Sequence, residues 1–220
     1  METTKFNNYW QRAQSTIYSE PAEGNFHTGL IPGLVADYLK AHDTAINARI
    51  LDVGCGQGVF LAEMEKRGYD NVTGITLSQE DKDYCEKKNY KVDVVDFSDL
   101  PYEDGSVDLI WCRHALEHSP APLFTLYEFE RVLKTGGKVY IEVPTPEDTR
   151  LHETNPNHYS ILGRTMWLSL FTKAGFNIAF QTNVTLSLMQ DLKPIKETYY
   201  IFIIQKNGNG YSQIGASANH

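Results

Sequence analysis

Three groups of residues in this chain have types and spacings that can do chemistry. The first is Asp52-Val53-Gly54-Cys55-Gly56-Gln57-Gly58, which follows directly on Ile50-Leu51. A buried strand running into G-x-G-x-G and then a helix opens its main-chain N–H groups to a ligand, because no Cβ stands in the way. A dinucleotide fingerprint would read G-x-G-x-x-G; here the third glycine falls one position early and Val59 stands in its place. A phosphate-gripping P-loop is excluded as well, since no Lys-Ser/Thr pair follows. The second group, His114-Ala115-Leu116-Glu117-His118, matches the H-x-x-E-H spacing of an inverted zinc-protease motif. Such a site needs a helix-held pair and a third protein ligand. This stretch follows a strand, so no metal is expected. The third group is His158 in its polar surroundings. Imidazole titrates near neutral pH, which makes His114, His118 and His158 candidate general bases.

The elements that must position these groups alternate strand-like and helical patterns, the mark of βαβ units and a parallel sheet. Strands are expected at Ile50–Val53, Val72–Thr76, Val92–Asp96, Val107–Cys112 and Lys138–Val143. Helices are expected at Gly58–Arg67, at Ser78–Lys88 with Ser78 as N-cap, and at Pro122–Leu133. The last of these reads as stopped by Lys134-Thr135-Gly136-Gly137. Residues 144–164 are polar and proline-punctuated, and read as a functional loop. A helix over Thr165–Lys173 then leads to two long strands, Asn177–Leu188 and Thr198–Gln205, joined through a turn near Lys193-Pro194. A hairpin there adds antiparallel strands to the parallel sheet. Residues 1–45 hold two helical patches, Tyr9–Ser19 and Gly33–Ala41, and the tail from Asn207 reads as disordered.

Composition narrows the partners. Lys and Arg number 20 against 28 Asp and Glu, a net charge of −8 that argues against a nucleic-acid or anionic-membrane footprint. No apolar run approaches the roughly 18 residues that span a bilayer. The opening METTKFNNYWQRAQ lacks the order of a signal peptide. Cys55, Cys85 and Cys112 are odd in number and lack CxxC spacing, as in a reducing compartment. A cytoplasmic protein is expected, with no membrane partner and no stated oligomeric order.

ILDVGCGQG, VTGITLS, VVDFSDLPYEDGSVDLIWCRHALEH and RVLKTGGKVYIEVP, in that order, resemble the class I S-adenosylmethionine-dependent methyltransferases. The resemblance implies an α/β fold: a Rossmann-like three-layer sandwich with a mostly parallel seven-stranded sheet and a C-terminal antiparallel hairpin. It implies S-adenosyl-L-methionine as cofactor, S-adenosyl-L-homocysteine as product, and a catalytic domain over residues 46–206. Residues 1–45 read as a helical cap or lid, whose Tyr9, Trp10, Tyr18 and Phe26 either fold over the cofactor or make an ordinary hydrophobic contact onto the core, and 207–220 as the tail. Gly54, Cys55, Gly56 and Gly58 would lie under the methionine part, with Asp52 orienting the loop or the cofactor's ammonium.

The family's acidic residue at the end of the second strand is replaced by Thr76. The resemblance therefore leaves the ribose to Thr76 and Leu77, with Glu80 and Asp81 as substitutes for the missing acid, though both read mainly as helix surface. Asp96 and Phe97 would read adenine, and Arg113 and His114 would lie beside the cofactor. Asn157-His158-Tyr159 is similar to a segment that precedes the last helix in many small-molecule members. The resemblance implies methyl transfer to an oxygen or nitrogen of a small polar metabolite or sugar-linked acceptor. A non-catalytic cofactor-binding module and an NAD-dependent oxidoreductase remain as alternatives.

Overall fold

A computed structural model describes residues 4–13, 26–146, 148–190 and 193–208. In chain order the helices are α1 (Thr4–Ala13), α2 (Phe26–Gly29), α3 (Ile31–Ala41), α4 (Val59–Lys66), α5 (Gln79–Glu86), α6 (Pro122–Val132) and α7 (Arg164–Lys173). The strands are β1 (Ile50–Val53), β2 (Val72–Thr76), β3 (Val92–Val94), β4 (Val107–Arg113), β5 (Leu133–Pro144), β6 (Phe176–Gln190) and β7 (Lys193–Lys206). They form one seven-stranded sheet in the order β3-β2-β1-β4-β5-β7-β6. The first five strands are parallel, and β7 runs antiparallel between β5 and β6. This is the three-layer architecture and closing hairpin that the sequence implied.

Burial follows from covering both faces of the parallel part, which is why its central strands read as nearly continuous apolar runs. Leu51, Val53, Ile75 and Ile110 face a layer built from Leu126 and Phe129 of α6 and Trp167 and Phe171 of α7. Ile50 and Trp111 face the other way, against Val35 and Tyr38 of α3 and Phe60 and Met64 of α4. Trp111 is stacked on Tyr140 with ring centroids 3.8 Å apart, and Phe60 stacks on it at 4.7 Å. Those rings form the floor beneath the carboxyl ends of β1 and β4. At the start of α5 the Ser78 side chain accepts from the Asp81 N–H at 3.1 Å, the expected cap.

Several boundaries differ from expectation. β3 ends at Val94, so Asp96 and Phe97 belong to the loop beyond it. Helix α6 stops at Val132, and Leu133 already pairs with Val107. Lys134 to Gly137 therefore belong to β5 rather than to a glycine stop, and Gly136 takes φ +79° within the strand's irregular start. The first helical patch lies at Thr4–Ala13, and the rest of its expected range falls outside the described residues. Lys193 and Pro194, expected in a turn, instead open β7 opposite Gln190 and Met189, and residues 191–192 lie outside the described residues. Among the described residues no helix is long and apolar enough to cross a membrane.

Candidate functional site

β1 and β4 are neighbours although β2 and β3 intervene in the chain, so the sheet's winding reverses between them. Ligands of open α/β sheets bind outside the carboxyl ends of the strands at such a point. Here it is occupied by a cavity with two lobes. The larger, about 480 Å³, is lined by Asp52 and Arg113 from the strand ends, by Cys55 of the glycine turn and by His27, His152, His158 and Tyr199 from elsewhere. The smaller, about 120 Å³, is lined by Thr76, Leu77, Asp96 and Phe97. Gly54, Gly56, His114 and His118 line both and mark where the lobes meet.

The glycine turn is tied to the end of β2 from below. The N–H groups of Gly54 and Cys55 both donate to the Ile75 carbonyl, at 2.9 and 3.1 Å. Gly54 has φ +74°, and a Cβ built on it would meet the Ala115 Cβ at 2.7 Å. No L side chain fits there without displacing the turn. Gly58 lies outside both lobes; with φ +78° it is the N-cap of α4, so it shapes the turn instead of lining the cavity. The Cys55 thiol points beneath the turn, 3.7 Å from the Gly56 carbonyl.

The charged groups are arranged about Glu142, at the end of β5 and 1% exposed. Its carboxylate accepts from Arg113 Nε at 3.0 Å, Tyr140 OH at 3.0 Å and His114 Nε2 at 2.9 Å. Burial alone would raise the Glu142 carboxyl, but the bonds and charges of His114 and Arg113 outweigh it and hold it down to about 2. Burial, reinforced by the Arg113 charge, pushes His114 down to about 4, so its ring is neutral at pH 7. His114 also holds φ +52°, a backbone state rare outside glycine and asparagine. Asp52 is buried, and loss of water pushes its carboxyl well above the usual range. Arg113 Nη2 is buried without a hydrogen-bond partner among the described residues.

In the smaller lobe Thr76 Oγ1 accepts from the Ser78 N–H at 3.0 Å. Asp81 is 3% exposed and lines this lobe, while Glu80 is exposed, so the reading of both as helix surface holds only for Glu80. Asp96 accepts from the Ser98 N–H at 2.8 Å and from Trp10 Nε1 of α1 at 2.7 Å. On the opposite wall, His118 Nδ1 donates to the Asn157 carbonyl at 2.9 Å and His158 Nδ1 to the His152 carbonyl at 2.8 Å. The two rings are 4.8 Å apart.

Residues 51–141 match a family described as methyltransferase domain. The chain is 33% identical over 150 residues to 27-O-demethylrifamycin SV methyltransferase of Amycolatopsis mediterranei, a match covering 63% of this chain and 52% of that protein. It is 30% identical over 155 residues to ubiquinone biosynthesis O-methyltransferase of Xanthomonas oryzae, covering 56% and 64%. The chain thus spans between half and two thirds of these relatives. A solved S-adenosylmethionine-dependent methyltransferase from Methanosarcina mazei shares the fold, with TM-score 0.62, 20% identity and coverage of 79% of this chain and 97% of that one. Residues 51–141 thus lie in a methyltransferase domain, and these likenesses together support the class I S-adenosylmethionine-dependent type.

The residues of this methyltransferase domain fit the cofactor's chemistry. A cradle that a Cβ at Gly54 would fill, a buried Asp52 carboxyl and the unpartnered Arg113 Nη2 match a zwitterionic amino-acid end. Several residues around the methyltransferase cavity were not singled out from sequence. Glu142 is one, because it sits mid-run in an apolar strand. His27, Arg150, His152, Glu197 and Tyr199 are others. His27 Nε2 lies 3.0 Å from Glu197, which also accepts from Tyr199 OH at 2.9 Å. Only antiparallel β7 brings Glu197 and Tyr199 to this edge, and no local pattern announces that.

Proposed function

We propose that this domain transfers the methyl group of S-adenosylmethionine to an oxygen or nitrogen of a small polar acceptor, releasing S-adenosylhomocysteine. The observation that carries the reading is the pair of lobes meeting at Gly54, Gly56, His114 and His118. The smaller lobe suits the adenosyl part, with Asp96 and Phe97 at the base and buried Asp81 taking the ribose position that Thr76 leaves open. The strand-end side of the larger lobe suits the amino-acid part, through Asp52 and Arg113. Its remaining space, walled by the histidines of the 148–158 loop, is left for the acceptor. The names of both relatives favour an oxygen acceptor.

When bound, the cofactor supplies an electrophilic methyl group on a sulfonium. The chain's own contribution is to hold the acceptor in line and to keep water out. His114 is a positioning residue: with Nε2 given to Glu142, it fixes the meeting point of the lobes. His118 and His158 line the wall of the larger lobe beside the space left for the acceptor. Helix α1 acts as a lid, with Trp10 on Asp96 and Tyr159 OH donating to the Ala13 carbonyl at 2.9 Å. Tyr9 is on the same helix; Tyr18 lies outside the described residues, and Phe26 opens α2. The net charge of −8 and three buried free cysteines support a cytoplasmic setting and a partner other than nucleic acid.

Calorimetry with S-adenosylhomocysteine and with NAD tests the reading. Binding of the first and not the second is expected, and Gly54→Ala should abolish it while the domain stays folded. NAD binding without S-adenosylhomocysteine binding would overturn the assignment. Turnover of His118→Ala and His158→Ala on the first acceptor found then weighs their contacts.

A further inference from the structure

We propose that Glu117, His118 and His158 form a binding site for a divalent transition-metal ion of the zinc type on the wall of the larger lobe. One donor atom from each of the three lies within 4.8 Å of the other two. The objection from sequence was that His114-Ala115-Leu116-Glu117-His118 follows a strand and has no third ligand. The fold answers it differently from the motif. Leu116–His118 forms a short 3-10 turn, and the third ligand is His158 of the late loop, not His114.

That loop is fastened to the turn: the N–H groups of Tyr159 and Ser160 both donate to the Glu117 carbonyl, at 2.9 and 3.0 Å. A carbonyl can only accept, so the Nδ1 atoms bonded to the Asn157 and His152 carbonyls carry the protons. The lone pair of each ring is therefore on Nε2. A backbone carbonyl on the far nitrogen is the arrangement that fixes metal-binding histidines elsewhere. Asn155 Nδ2, 3.2 Å from His158 Nε2, would yield to the ion.

Two imidazoles and one carboxylate suit zinc and its first-row neighbours rather than magnesium or calcium, which prefer oxygen. Nitrogen and oxygen donors about 2 Å from zinc stand roughly 3.3 Å apart in a tetrahedron, so the loop would draw inward by about 1 Å. Three protein ligands leave a position open toward the cavity, for an oxygen donor. The acceptor would then be one with a metal-binding hydroxyl or carbonyl beside the methylated atom. This last step rests on the methyl-transfer reading; the ion site does not.

The test is zinc uptake by the chelator-treated full chain, measured by calorimetry and by metal content after dialysis, with S-adenosylhomocysteine titrated into the same samples. One zinc per chain is expected, with affinity at least tenfold weaker in His158→Ala and Glu117→Gln. Cobalt should give visible absorption in the parent protein that His158→Ala loses, with both folded by their melting curves. No zinc uptake, or uptake unchanged in both variants, overturns the site. Homocysteine-product binding without zinc uptake would leave methyl transfer standing and remove only the metal.

Discussion

Three side-chain donors converge on the Glu142 carboxylate, and its protonation should therefore register in the stability of the whole sheet. Its folded value, about 2, lies below the ordinary 4.5, so the stabilisation is complete above about pH 4.5 and is lost as pH falls toward 2. A shift of that size corresponds to about 3 kcal/mol. Denaturation midpoints measured across this window should fall steeply for the parent chain and less for Glu142→Gln. A second expectation concerns Arg113, which lines the larger lobe and whose Nη2 is buried without a hydrogen-bond partner among the described residues. Arg113→Lys keeps a cation for Glu142 but removes the forked donor, so affinity for S-adenosylhomocysteine should drop about tenfold or more by calorimetry. At this scale the sequence was legible where neighbours in the chain are neighbours in the site, as from Asp52 to Gly56. It was silent where they are not. Asp81 looked like helix surface because an acid in a first turn usually is. Glu142 and Tyr199 sit in apolar runs that mark strands and nothing else.

Between elements, the contact of α1 with the loop after β3 decides how the smaller lobe opens. Trp10 Nε1 on Asp96, at 2.7 Å, is a hydrogen bond to a charged group, worth about 1.5–3 kcal/mol. Trp10→Phe should keep the lid's apolar bulk while removing that bond. Dissociation of S-adenosylhomocysteine by stopped flow should quicken about tenfold, with association little changed. The aromatic floor tests a different joint. Trp111→Ala should cost about 3–5 kcal/mol in chemical denaturation, since it hollows the layer between β4, Tyr140 and Phe60. Short, nearly continuous buried runs were readable, which is why β1 and β2 match their expected spans. The end of α6 was not. Lys134 to Gly137 have the composition of a helix stop, yet pairing of Leu133 with Val107 draws the chain straight into β5.

For the molecule as a whole, ligand binding and folding are one equilibrium. S-adenosylhomocysteine at 100 times its dissociation constant should add about 2.7 kcal/mol. In a domain of this size that raises the melting midpoint by roughly 5–10 °C, and NAD should leave it unmoved. The closing hairpin has a consequence of another kind. β5 pairs with β7 only from Tyr199 to Gln205, while β6 and β7 pair with each other as far as Gln190 and Lys193. The hairpin therefore outreaches the sheet as a two-stranded arm beside the loop that walls the larger lobe, where Thr149 donates to the Lys196 carbonyl at 2.7 Å. Residues in that arm can be lengthened, shortened or exchanged without touching the glycine turn or the strand ends of β1 and β4. Exchanging residues in that arm should therefore change which acceptor is methylated while affinity for S-adenosylhomocysteine, read by calorimetry, stays the same.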